Sequence, residues 1–474
     1  MSAALFALAA WAATASAEPA SPLFALVVGN NRPAAPEVAP LRYADDDAVQ
    51  NAELMTELGA QTVLLTRLDL ESRELYPNVQ ATAPTRGALA QAWDELDARM
   101  GRERERGASP VLFVFYGGHG DVENNQGYVA LEDGRLTRDE LLDRLRATKA
   151  STVHLVVDAC KSYFLAFERG ERGERVKVAG PLVGPPRGLP ANVGVLLSTS
   201  SAVESHEWEA FQAGIFSHEV RSAFRGAADV DLDGRITYDE LAAFVWAANA
   251  SIPNRKYRPE IFARPPQQGS VLVAPAGGDR VEVGPGVDRH VFVEDDRGRR
   301  LGDLHPGAAQ RAYLRLPPSR PLFVRVADDR TEATLTDGGV FRIAELRLAP
   351  SSANARGAEH VAFSRLFANA FDAAAVTAWR ERPSEPEPAL SAGRSPVRWG
   401  AGIGAGLFGT SGAVLTALAL NDYRSAGPST TGVERAWLND RIDRFNVAAV
   451  TCYALAGAAL ALLVWLTIWG EGAP

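Results

Sequence analysis

The chain has few of the residues that staple small folds together: among 474 residues there are two cysteines, Cys160 and Cys452. One follows an apolar run and the other sits inside a long apolar stretch, which excludes a disulfide framework. An excess of positive charge is also missing. Lys and Arg number 49 against 58 Asp and Glu, a net charge of -9. The electrostatic footprint of a nucleic-acid binder is therefore absent, and a basic substrate is favoured over an acidic one. Methionine is scarce, with three residues, while Ala, Arg and Pro are frequent, a composition typical of GC-rich bacterial genomes. Low hydrophobicity is absent too: 46% of residues are apolar and 23% charged, as in ordinary globular proteins. The length calls for two or three folded units.

Residues 1–17 lack a base ahead of their apolar centre but end in Ala15, Ser16 and Ala17, the small-residue pattern of a signal-peptide cleavage site. Strand and helix patterns then alternate. Apolar runs at 23–28, 62–65, 111–116, 152–157 and 193–197 read as buried strands, and helical spacing predicts helices over 45–58 and 85–100. Such alternation implies an α/β fold with a largely parallel sheet and helices on both faces. Over 269–348 the character changes to short β-type runs between Gly, Pro and Asp turns, a small β-sandwich pattern. A helix over about 358–380 follows, and the Pro-, Ser- and Glu-rich stretch up to residue 396 reads as a linker.

Two uncharged apolar segments, 399–420 and 445–469, close the chain. Each is long enough to cross a bilayer of about 30 Å. Trp399, Trp465 and Trp469 stand near their ends, where interfacial anchors sit. The connecting loop carries Arg424, Arg435, Arg441 and Arg444, while the tail after the second segment has no base. The positive-inside rule puts that loop in the cytoplasm, so the bulk of the chain faces outward, in agreement with export.

Ligands of parallel sheets bind beyond the C-terminal strand ends. There the third and fourth strands stop at His119 and Cys160. A thiol becomes a strong nucleophile near neutral pH when an imidazole takes its proton. Gly117, Gly118 and Gly120 let backbone approach a substrate closely. The amides of Gly120 and Cys160 are candidate oxyanion donors.

The segments FVFYGGHGD (113–121) and VVDACKS (156–162) resemble the histidine and nucleophile motifs of caspases and metacaspases, in the same order and spacing. The opening strand, the LRYADDDA segment (41–48) and Leu131-Glu-Asp133 fit that family as well, over roughly 23–265. The resemblance implies a caspase-like fold over 22–265, a cysteine endopeptidase activity and no cofactor for catalysis. Metacaspases select Arg or Lys with acidic pocket residues. Asp158, two residues before the cysteine, and Asp47 stand where that family has them, so the resemblance and charge logic together imply peptide substrates with a basic P1 residue. Three aspartates in a row, Asp45 to Asp47, leave the register open by one residue, and the same residues could instead cap a helix. Lys161, Ser162 and Tyr163 depart from the His-Ser-Gly or Arg-Ser-Gly that usually follows the cysteine. The polar stretch 168–177, with Arg169, Arg172, Arg175 and Lys177, matches a loop that such proteins often cut themselves.

Residues 229–240 follow the EF-hand template, with Asp229, Asp231, Asp233, the Arg235 carbonyl, Thr237 and Glu240 at the ligand positions and Gly234 at the turn. Calcium binding is one reading and a helix connector with capping aspartates is the other. The sequence thus predicts an α/β fold, a caspase-like, mostly parallel sheet flanked by helices, followed by a small β-rich domain and two C-terminal transmembrane helices. The expected protein is an exported cysteine endopeptidase of a bacterial cell envelope, anchored in the membrane with its peptidase domain on the non-cytoplasmic side. A catalytically inactive caspase-like scaffold or signalling module, and a calcium sensor, are the alternatives.

Overall fold

A computed structural model describes residues 21–32, 39–123, 126–159, 188–198, 207–208, 213–252, 259, 261–275, 277–327, 330–351, 365–382, 411, 413–424 and 432–468. The expected signal peptide, Cys160, residues 168–177, the expected linker and most of segment 399–420 lie outside the described residues. The chain divides into two compact units, residues 1–384 and 385–474.

The first unit opens with β1 (Leu23–Asn30), α1 (Ala44–Glu57), β2 (Gln61–Leu65), α2 (Leu70–Leu75), α3 (Arg86–Glu105) and β3 (Val111–Gly118). A meander of β4 (Gly120–Glu123), β5 (Gln126–Leu131) and β6 (Gly134–Thr137) leads to α4 (Arg138–Ala147), β7 (Thr152–Asp158) and β8 (Val193–Ser198). Then come β9 (Glu207–Trp208), β10 (Ala213–Gly214) and α5 (Ile215–Ser222), which runs into a π-helical turn (Ala223–Ala227). β11 (Ile236–Thr237), α6 (Tyr238–Asn249) and β12 (Ile261–Arg264) complete this part. The central sheet has the order β12-β8-β7-β3-β1-β2 and is parallel except for its edge strand β12.

The period-2 alternation of side chains along each strand builds two cores. Ala25, Val27, Phe113, Phe115, Val156 and Leu196 face one side, with residues of α1, α5 and α6. Phe24, Leu26, Leu112, Val114, Leu155 and Val195 face the other, with residues of α3 and α4. Strands buried on both faces are why the sequence shows continuous apolar runs there. α3 begins where Thr85 caps the Ala88 amide, at 3.1 Å, but extends beyond the expected end at Met100. Its charged last turns are helical, with ion pairs such as Arg106–Glu103 at 2.7 Å.

The β-rich part consists of β13 (Val271–Val273), β14 (Arg280–Val283), β15 (Val291–Asp295), β16 (Arg300–Leu304), β17 (Ala312–Arg315), β18 (Leu322–Val326), β19 (Thr331–Leu335), β20 (Val340–Arg342) and β21 (Ala349–Pro350). Among them are a three-stranded sheet, β17-β14-β20, and a five-stranded sheet, β16-β15-β18-β19-β21. β13 instead pairs with β11. Val281, Val291, Leu314 and Leu322 join the same core as α5 and α6, so this region packs into the first unit. Of the helix expected over 358–380, α7 (Ala373–Glu381) is observed, and it starts where Asp372 accepts a hydrogen bond from the Ala375 amide. Residues 365–372 are turn and irregular structure.

In the second unit residues 413–424 are helical, and α8 (Gly432–Ile468) is a single helix that begins well before the expected apolar boundary. Among the described residues one helix is long and apolar enough to cross a membrane, over Leu438–Ala461, 24 residues. That is about 36 Å at 1.5 Å per residue.

Candidate active site

β3 and β7 are adjacent parallel strands whose last register pair is Gly117 with Asp158. His119 stands two residues beyond this pair on one strand. Cys160 stands two residues beyond it in sequence on the other, one residue past the last described position, Ala159. Both chains therefore leave the same sheet edge at the same level, with neighbouring strands about 4.8 Å apart. β3 also adjoins β1, where the order of connections reverses, the switch point at which open α/β sheets bind ligands.

The histidine is fixed from its backbone. Its carbonyl accepts hydrogen bonds from the Ala130 amide at 2.9 Å and from the Tyr116 hydroxyl at 2.9 Å. Gly118 between them has φ +155, and a Cβ there would lie 2.6 Å from the Tyr116 oxygen. A hydrogen bond to the Ala39 backbone engages the half-buried His119 ring, and burial holds its pKa below the ordinary imidazole value. Nε2 is buried and has no partner among the described residues. A neutral imidazole with a free ring nitrogen is the form that accepts a proton. Gly120 opens β4, in register with Val129.

The two predicted pocket acids do meet. Gly214 lies between them: a Cβ at this position would come 2.8 Å from Asp158 Oδ2 and 2.9 Å from Asp47 Oδ2. Asp47, on α1, accepts hydrogen bonds from the Gly214 amide at 2.8 Å and from Arg221 Nη1 at 2.8 Å. Asp158, at the end of β7, accepts from the Ser217 amide at 3.1 Å and its hydroxyl at 2.7 Å. Both carboxylates thus sit at the N-terminus of α5, where the helix dipole and unpaired amides favour negative charge. Burial pushes Asp47 up to about 7, with the Arg221 charge pulling the other way, and it raises Asp158 as well.

Contacts distinguish the three aspartates of the run. Asp45 accepts from Asn31 and the Asp69 amide, Asp46 from the Ser72 hydroxyl, and Asp47 from the Gly214 amide beside Asp158. α1 has no side-chain cap of its own. Asn31 Oδ1 takes the first helical amides, of Ala44 at 2.8 Å and Asp45 at 3.3 Å, while Glu207 accepts from the Arg42 and Tyr43 amides just ahead of the helix at 2.9–3.1 Å. Sequence reasoning missed Glu207, Gly214, Ser217 and Arg221. Glu207 pairs in register with Gly214 across the β9–β10 ladder, and burial, with a contribution from the Asp158 charge, raises its pKa. The one signal was the location of this acid beyond a strand end.

The other face of α5 is fixed in the β-rich region. His218 Nε2 lies 2.6 Å from Asp303 Oδ2, and the Asp303 amide donates to Ser222 Oγ at 3.0 Å. Arg300 and His290 close this buried knot on the same carboxylate. Farther along, oxygens of Asp229, Asp231 and Asp233 lie within 4.8 Å of one another. Thr237 and Glu240 form a capping box at the start of α6, next to Arg235.

An open, mostly parallel sheet with an imidazole at one strand end and a cysteine next in sequence beyond its neighbour defines an α/β domain of the cysteine-hydrolase kind. The chain belongs to the caspase-domain family of cysteine peptidases: the family model described as "Caspase domain" matches residues 23–263, just over half of the chain. Similar solved structures include caspase-1 from Spodoptera frugiperda, at 14% identity, covering 53% of this chain and 89% of that one, with a TM-score of 0.34. The Drosophila initiator caspase Dronc is similar at 11% identity, 54% and 83% coverage and a TM-score of 0.34. No curated protein matches the chain. Peptidases of this family act on proteins or peptides and need no cofactor for catalysis.

Proposed function

We propose that the chain is a cysteine endopeptidase, anchored in a bacterial envelope membrane, that cleaves after Arg or Lys with His119 and Cys160 as its dyad. The observation that carries this reading is the Gly117–Asp158 register, from which histidine and cysteine follow at equal offsets. Cys160 Sγ gives its proton to His119 Nε2 and attacks the scissile carbonyl carbon. The carbonyl oxygen takes the electron pair and is held by the Gly120 and Cys160 amides. His119 returns the proton to the leaving amine as the C–N bond breaks, and water then hydrolyses the thioester. Asp47 and Asp158 take the basic P1 side chain. Glu207 adds a third carboxylate, while Arg221 offsets one charge. In support, Asp47 and Asp158 converge although 111 residues separate them (158 − 47).

Membrane anchoring rests on the second unit. Val447, Val450 and Leu460 of α8 are exposed, as are Val414 and Leu420 on residues 413–424. Contacts join the two helices: Arg441 Nη2 lies 2.9 Å from Asp422 Oδ2, and the Thr416 and Tyr453 hydroxyls are 3.3 Å apart. The charged pair lies outside both apolar segments, at the level of a membrane surface. The peptidase domain stands on the non-cytoplasmic side in this reading, and the arginine-rich loop at 168–177 is its own candidate processing site.

The test is hydrolysis of a fluorogenic Arg-P1 peptide by the full chain. Cys160→Ala abolishes it on this account. Equal turnover by wild type and Cys160→Ala, or none by either across a P1 library, leaves the scaffold reading in its place.

A further inference from the structure

We infer that residues 229–240 form a binding site for a divalent cation of the calcium class, held by the carboxylates of Asp229, Asp231, Asp233 and Glu240. Two independent observations carry this. The first is convergence: one oxygen from each of the three aspartates lies within 4.8 Å of the others, although like charges at that spacing repel. The second is an orphan. Asp229 is 1% exposed, and its Oδ1 is buried with no hydrogen-bond partner among the described residues. A buried carboxylate oxygen left unpaired carries its full desolvation cost unless a positive charge meets it.

The carboxylate is aimed into the loop. Its other oxygen, Oδ2, accepts from the Gly234 amide at 3.0 Å and from the Tyr313 hydroxyl at 2.8 Å. Glu240 approaches from the first turn of α6, its Oε1 3.3 Å from the Val230 amide. Four carboxylates without a histidine or thiol among them select a hard, oxygen-seeking ion. Several carboxylates on a short loop suit calcium, which tolerates irregular coordination, better than magnesium, which demands octahedral geometry and keeps its waters. The loop is pinned on both sides. Ile236 pairs with Val273 across β11 and β13, and a Cβ on Gly226 would meet the Tyr313 ring at 2.2 Å. An ion here would brace β17, the turn after α5 and the start of α6 against one another. The inference is separate from the dyad chemistry, because binding is read without any cleavage.

The test is calorimetric titration of the full-length Cys160→Ala chain, in detergent and stripped with EDTA, with calcium chloride. One saturable site is expected, with Kd between about 10⁻⁶ and 10⁻³ M and far weaker heat from magnesium chloride. In Asp231→Asn/Asp233→Asn, at exposed positions, the affinity should fall at least about 100-fold through the loss of two ligand charges. No saturable heat up to roughly 10 mM calcium, or an affinity of the double variant within about threefold of the parent, overturns the inference. Asp229→Asn is a second variant with the same expected loss. Because Asp229 is buried, its result is read beside a melting curve in EDTA.

Discussion

Gly214→Ala isolates the acid pair more cleanly than removal of either acid. Gly214 has φ −64 and ψ 139, extended backbone that alanine adopts without strain, so the change adds only a methyl group. That group would lie 2.8 Å from Asp158 Oδ2 and 2.9 Å from Asp47 Oδ2, against about 3.5 Å for a relaxed contact. Each carboxylate must therefore retreat by roughly 0.6 Å. Neither can do so freely, because Ser217 holds one and Arg221 the other. Overpacking of this kind costs about 1–3 kcal/mol, or about 2–10 °C in Tm for a large domain. If the pair binds the P1 cation, a comparable loss falls on the transition state, so kcat/KM for an Arg-P1 peptide drops about 10- to 100-fold. The assay is kcat/KM on matched peptides with Arg and norleucine at P1, beside thermal melting of the same preparation. A lowered Tm with the Arg-P1 value within about twofold of wild type would refute the pocket and leave the acids as caps of α5.

Three further outcomes follow from the same contacts. Burial depresses His119, so the acid limb of kcat/KM falls below the 6.5 of an ordinary imidazole; a limb above that value, measured from pH 4 to 9, contradicts the assignment. Asp46 is raised from 3.8 to about 8 by burial and by Asp45 and Asp47. A carboxyl kept neutral by the fold stabilises it below the unfolded pKa, and that contribution is lost as pH rises through the folded one. Asp46→Asn should therefore gain stability over wild type between pH 5 and 9, by on the order of a few kcal/mol, and urea midpoints at the two ends decide this. Asp303→Ala strips the partner from His218, Arg300 and His290 and should cost about 3–5 kcal/mol, seen as a large fall in Tm.

Much of the sheet was legible because its strands are buried on both faces and read as unbroken apolar runs, such as Leu23 to Val28. The meander β4–β6 was not, since β4 and β6 are half-exposed and the mostly buried β5 between them is short and bounded by polar turns. β16 escaped for a different reason. Its sequence, Arg-Leu-Gly-Asp-Leu, is buried throughout, and although Arg300 pairs with Asp303 within the strand, nothing local announces the two histidines, His218 and His290, that meet the same carboxylate from elsewhere in the fold. At the site, His119, Asp47 and Asp158 stand beside motif residues and could be named from sequence. Gly214, Ser217 and Arg221 act through contacts with residues far away in the chain, and Glu207 looks like any surface acid until the β9–β10 ladder brings it to Gly214. The run Asp45 to Asp47 could be parsed only by seeing which carboxylate each neighbour contacts.

The central claim is that an imidazole and a thiol share one edge of the sheet. A crystal structure of the full chain with a peptidyl-arginine aldehyde measures it directly. The account predicts a thiohemiacetal on Cys160, with its sulfur about 3–4 Å from His119 Nε2 and the arginine side chain running toward Asp158. A sulfur on the opposite face of the sheet from that imidazole, or an aldehyde bound elsewhere, would contradict it.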